Sequence, residues 1–179
     1  MPYDPLPDLA TLSLAEIAAL NAARKLPPVE QWNPAASGDS LMVIKADGRW
    51  FHDGGEIKRP AMIRAFAGLL RREGDGSNWL VTPAEKQSIV VEDAAFIAVD
   101  VVRTGDSLAL RLNTDEVVLA GPEHPLVARG DPDMPALYLA VRHGTEARIN
   151  RSTWLQLVDL ADADLAVTSQ GMRFSLVPA

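Results

Sequence analysis

Hydrophobic positions along this chain fall into two rhythms. From Ile57 to Leu70 the apolar residues Met62, Ile63, Phe66, Leu69 and Leu70 recur at helical spacing, so the stretch predicts an amphipathic helix with one buried face. Pro60 suits its first turn, where a missing N–H leaves no bond unmade. The same rhythm returns in Ile149–Ala161 at an offset of 92, which pairs Ile57 with Ile149, Arg59 with Arg151, Met62 with Trp154, Ile63 with Leu155 and Phe66 with Val158. Leu80–Pro83 is echoed by Ala166–Ser169. The chain therefore reads as a duplicated hairpin–helix–strand unit.

The remaining pattern is mostly strand-like. Ser13-Leu14-Ala15-Glu16 forms a capping box, in which serine and glutamate satisfy each other's backbone donors, and a helix follows to about Lys25. Pro27-Pro28 stops it, and residues 27–40 read as linker. Leu41–Ala46 and Arg49–His52 flank Asp47-Gly48, a favoured hairpin turn. Asn78–Thr82 and Gln87–Val91 follow the first long helix. Phe96–Arg103, Ser107–Asn113 and Glu116–Ala120 read as an antiparallel meander. Four prolines and two glycines mark 121–135 as loop. Ala136–Arg142 and Thr145–Asn150 then make a hairpin around His143-Gly144, and a last strand pair is predicted near 165–168 and 172–177.

The fold class expected is α+β, with duplicated units and antiparallel sheets each carrying a helix on one face. Residues 1–40 form an N-terminal arm and helix, 41–95 a first lobe, and 96–179 a second lobe that takes in the meander. Several strands capped by one C-terminal helix also read as a half-open barrel of the pleckstrin-homology kind.

Composition narrows the function classes. At 179 residues, with 47% hydrophobic and 23% charged residues, the chain holds enough apolar material for one or two packed domains. There is no cysteine, which excludes disulfides and thiolate metal sites and fits a cytoplasmic protein. The start lacks the basic and apolar regions of a secretory signal, and no apolar run approaches the ~20 residues of a membrane span. A net charge of −7 argues against an extended nucleic-acid footprint while leaving room for one local anion site.

The candidate chemistry centres on arginine. Arg59 and Arg151 each stand at a helix start, where a cation opposes the helix dipole, so something negative is expected nearby. It is either a protein carboxylate, making the arginines structural clamps, or an anionic ligand such as a phosphate. Arg142 and Arg148 flank the His143-Gly144 turn. A two-residue turn pairs 139 with 148 and sets Arg148 on the apolar face of Leu137, Leu139 and Val141, where it needs an acid or a ligand. Thr82, Glu85, Lys86 and Asp93 form a dense polar cluster that either lines a cleft or makes a solvated connection. Trp50 and Phe96 offer rings to stack on a flat ligand or to fill the core.

Catalytic templates fail. Gly74–Trp79 lacks the third glycine of a dinucleotide fingerprint, and there is no phosphate loop and no GxSxG elbow. His52, His124 and His143 have no metal-site spacing, so neither a metal nor a cofactor is expected.

The runs DGRW…GGEIKRPAMIRAFAGLLRREGDGSNWLVTPAEKQSIVVEDAAF and RHGTEARINRSTWLQLV resemble the bacterial family DUF1285 over about residues 30–178. The resemblance implies duplicated units, a C-terminal half loosely like pleckstrin-homology domains, a nucleotide-like ligand site between the halves, a role in signal transduction, and no enzymatic activity. Asp47, Trp50, Arg59, Thr82, Glu85, Lys86, Asp93, Arg142, Arg148 and Arg151 match the family's polar pattern. Ala95 departs from it, standing where a proline is expected before Phe96. The function expected is that of a non-enzymatic sensor for a small anionic ligand. Arg59, Lys86, Arg148 and Arg151 would meet the anion. The alternatives are a protein-interaction adaptor, with the arginines as clamps, and a phosphoester-acting enzyme using Glu85 or Asp93 as base.

Overall fold

The computed structural model describes residues 8–24 and 26–179. The first seven positions of the proline-rich arm, and the predicted helix end at Lys25, lie outside the described residues. The helices are α1 (Leu14–Ala23), α2 (Pro60–Ala67) and α3 (Arg151–Leu160). Among the described residues, one compact unit holds 26–95 with 142–145, and the other holds 8–24, 96–141 and 146–179.

The first unit is a six-stranded sheet built from β1 (Ala36–Ile44), β2 (Trp50–His52), β3 (Gly55–Ile57), β4 (Leu70–Arg72), β5 (Asn78–Val81) and β6 (Glu85–Val91), in the order β3-β2-β1-β6-β5-β4. The central pair, β1 with β6, is parallel, with Ala36 opposite Glu85 and Ile44 opposite Val91. The α+β class is as expected, and the expected antiparallel sheet is corrected at this one pair. The connection from β1 to β6 carries four strands and α2, long enough for a parallel return. It also corrects the linker reading of 27–40, because β1 begins at Ala36. Residues 36–39 are exposed, so the ladder to Glu85–Ser88 holds them in a strand and burial does not. Beyond a bulge the strand alternates, burying Ser40, Met42 and Ile44. At the bulge, Ser40 Oγ donates to Ser88 O at 2.6 Å, and Leu41 takes a positive φ of 57°.

The second unit repeats this wiring. Its strands are β7 (Phe96–Thr104), β8 (Ser107–Leu112), β9 (Val117–Leu119), β10 (Leu126–Asp131), β11 (Met134–Ala140) and β12 (Glu146–Ile149), in the order β10-β11-β12-β7-β8-β9. Here too the first and last strands form a parallel central pair, with Phe96 opposite Ala147 and Ala98 opposite Ile149. Taken in chain order, β1 corresponds to β7 and β6 to β12, so the opening strands start 60 positions apart, at Ala36 and Phe96. The doubling is thus present, but its register is not the offset of 92. By this register α2 lies inside the first set of six strands and α3 follows the second. The two helices share a rhythm because each leaves a hairpin to cover a sheet, which any amphipathic helix in that position must show.

β8 is buried almost along its whole length. Ile17 of α1 packs with Ala109 and Val117 on one face. Leu108 N donates to Ser169 Oγ at 2.8 Å, which ties β8 to the hairpin of β13 (Ala166–Ser169) and β14 (Met172–Ser175). The capping box of α1 forms as predicted. Glu16 N donates to Ser13 Oγ at 3.2 Å, and Ser13 N donates to a Glu16 carboxylate oxygen at 3.1 Å. Helix α3 packs on β7 and β13, with Leu157 and Thr153 buried.

The loop expected over 121–135 is instead mostly strand, since β10 occupies 126–131 and turns into β11 through Pro132-Asp133. Asp133 N donates to Asp131 Oδ1 at 2.8 Å, the side-chain-stabilised turn favoured by this composition.

Candidate functional site

A cleft of about 380 Å3 opens within the second unit. Its apolar lining is Met134, Pro135 and Leu137 of β11, Ile149 of β12, and Trp154 and Leu155 of α3. Its polar lining is Asp133, Arg148 and Arg151. Arg151, Trp154 and Leu155 stand at i, i+3 and i+4, which puts them on one face of α3. Asn150 caps this helix, its side-chain oxygen accepting from Thr153 N at 2.9 Å. Trp154 Nε1 donates to Leu176 O at 3.4 Å.

Two arginines are therefore among the residues that line one cavity. Arg151 is the first helical residue and is exposed. Arg148 donates from Nη1 to Tyr138 OH at 3.3 Å and lies 5.4 Å from the centre of that ring. Arg129 lies 4.5 Å from the same ring and pairs with Glu146. The partner of Arg148 corrects the expected register. Leu139 pairs with Ala147 and Tyr138 with Arg148, because residues 141–145 make a longer turn than the two residues assumed. In this turn Thr145 Oγ and N both donate to Arg142 O, at 2.5 and 2.8 Å. A one-residue slip exchanges the faces of a strand, so Arg148 shares Tyr138's face instead of that of the buried Leu137, Leu139 and Val141.

Comparison with known proteins decides the family. A domain of unknown function, DUF1285 N-terminal domain, matches residues 27–94, and the DUF1285 C-terminal domain of a protein of unknown function matches 95–176. The chain belongs to the DUF1285 family. A crystal structure of a DUF1285 family protein from Silicibacter pomeroyi DSS-3 is similar, with 38% identity, 91% of this chain and 95% of that chain covered, and a TM-score of 0.78. A DUF1285 family protein from Shewanella baltica OS155 shares 25% identity over 67% of this chain and 91% of that one, with a TM-score of 0.56. No curated protein matches the chain.

The other residues singled out in this DUF1285 chain are placed differently. Trp50 and Phe96 are fully buried, so both rings fill core and present no open face for stacking. Trp50 stacks on Phe66 with ring centres 6.5 Å apart. Lys86 lies 4.2 Å above the Trp79 ring and donates to Glu73 Oε1 at 3.0 Å. Arg71 donates to the same oxygen at 3.0 Å and to Val29 O and Trp32 O. The two cations hold the Glu73 carboxyl below the usual carboxylate range, Lys86 first. This array binds segments of the first unit to one another. Thr82 and Glu85 close a tight turn, with Thr82 Oγ1 donating to Glu85 O at 2.9 Å and accepting from Glu85 N at 3.1 Å. Asp93 is exposed. Arg142 Nη2 donates to Ala67 O at 3.3 Å, setting a cation at the C-terminus of α2 where the dipole favours it. Arg59 is exposed and is the N-cap of α2, one position out of step with Arg151, which follows its cap.

Asp133 and Met134 are not legible as site residues because the prolines of 121–135 mask a strand, and Trp154 and Leu155 read only as the apolar face of a helix. The usable signal was Gly130-Asp131-Pro132-Asp133, a turn cluster between two apolar runs.

The turn at His143-Gly144 carries a pH response. Burial pushes the His143 imidazole below its ordinary pKa, more strongly than Glu30, 3.6 Å away, raises it. A histidine whose folded pKa is depressed resists protonation only in the fold. Its contribution is therefore complete above the unfolded pKa of ~6.5 and lost as pH falls below that value. Melting temperatures at pH 7.5 and 5.5 should show a fall in the wild type that His143→Asn reduces, asparagine tolerating the local φ of 50°.

Proposed function

We propose that this chain is a ligand-binding sensor that holds a small anionic molecule in the cleft of the second unit. The observation that carries the reading is that Arg148 and Arg151 line one cavity whose other walls are mainly apolar. Ligand clefts join an apolar lining to a few placed polar groups, and the volume lies near the lower end of the ~300–1,000 Å3 typical of them. Arg148 and Arg151 would meet the anion and Trp154 the flat or apolar part. As a sensor working in the cytoplasm, the chain would report occupancy through α3, which joins the cleft to β7 and β13. A protein partner is the second reading, favoured by Met134 at 81% and Leu155 at 49% exposure on the cleft rim.

Arg151 gives the first test. A cation in the first turn of a helix is unfavourable by about 0.3–1 kcal/mol, so Arg151→Glu should leave the unliganded protein as stable or slightly more stable. The same change should abolish any melting-temperature rise produced by small anions. A rise that survives in both Arg151→Glu and Arg148→Ala would remove the anion from this cleft.

A further inference from the structure

We infer that the ligand of this cleft is an apolar monocarboxylate, a free amphiphile with one negative charge, and not a polyphosphate such as a nucleotide. The inference rests on the proposed anion site and specifies its ligand. Charge balance is the first argument. The lining residues include two arginines and one aspartate, Asp133, so the local balance suits one negative charge. A di- or triphosphate would bring several charges against Asp133 with only two cations to meet them. Arg148 is partly engaged already, through Tyr138 OH and the Tyr138 ring. Arg151 is left as the main anion contact, at the mouth of the cleft.

The walls give the second argument. Six of the nine lining residues are apolar, Met134, Pro135, Leu137, Ile149, Trp154 and Leu155. A sugar–phosphate body would desolvate its hydroxyls against these side chains with few partners, which is costly. A hydrocarbon or aromatic body gains from the same surface. Neither rim residue, Met134 or Leu155, buries its side chain fully, so the apolar surface is open to such a body. Methionine adds a wall that adapts to irregular shapes.

Isothermal titration calorimetry on the full chain with decanoate, decanol, ADP and inorganic phosphate separates the possibilities. The expected result is binding of decanoate, with decanol weaker by about tenfold or more, the fold-change for losing one charge-assisted hydrogen bond. ADP and phosphate should give no saturable heat. Arg151→Ala and Leu155→Asp each change an exposed side chain, and each should weaken decanoate about tenfold or more while leaving the unliganded melting temperature near that of the wild type. Binding of ADP that depends on Arg151, with none of decanoate, would overturn the monocarboxylate and keep the anion site. Equal affinity for decanol and decanoate would overturn both, as would no binding at all. Sedimentation with phosphatidylglycerol vesicles, in the absence of decanoate binding, would replace the free amphiphile with a lipid surface.

Discussion

Gly144→Ala is expected to destabilise the protein by roughly 2–5 kcal/mol, the sum of a left-handed backbone cost and local overpacking. Gly144 has a φ of +77°, and a Cβ built there would stand 2.6 Å from the backbone oxygen of Arg72. That oxygen belongs to a strand whose own N–H is fixed, since Arg72 N donates to His143 O at 2.9 Å. Neither side can yield without breaking the bond that places it. Gly54 is the control. Its φ of +82° is as demanding, yet nothing lies within 4 Å of its would-be Cβ. Gly54→Ala should therefore show the backbone cost alone, about 1–2 kcal/mol. The difference between the two denaturation midpoints isolates the steric part, and equal midpoints would show that the Arg72 contact yields freely.

Trp50→Ala is expected to cost about 3–5 kcal/mol, the range for removing a large aromatic residue from a core. Trp50 has no exposed surface and stacks on Phe66, a half-buried residue of α2. Its loss strikes the joint between that helix and β2. Trp50→Phe should recover most of the loss. It keeps a ring for Phe66 and deletes an indole N–H that is buried with no hydrogen-bond partner among the described residues. If Trp50 instead served the ligand, Trp50→Phe would cost affinity without stability. Urea midpoints beside decanoate titrations distinguish the two outcomes.

What could be read from the sequence followed the range of each interaction. The capping box at Ser13 and the helix from Arg151 rest on residues within four positions of each other, so local patterns identify them. The parallel partnership of β1 and β6 joins residues about 50 positions apart, Ala36 with Glu85, and the first residues of β1 are exposed. No hydrophobic alternation marks them, and 36–40 therefore read as linker. Arg148 shows how sensitive a site residue is to such detail. One additional turn residue moved it from a buried face to the flank of Tyr138. The arginines were legible as candidates by type and position. Which of them meet a cavity depended on the hairpin register and on a strand hidden among prolines.

The placement of each sheet's first and last strands side by side has a consequence for synthesis. Until Glu85–Val91 has left the ribosome, the earlier strands of the first unit form two separate ribbons, β3-β2-β1 and β5-β4, with no ladder joining them. Each would show a raw edge to its surroundings, open to capture by other chains. The last strand acts as a keystone, and since long-range pairing slows folding, the interval before it arrives is when this polypeptide most needs a chaperone's protection.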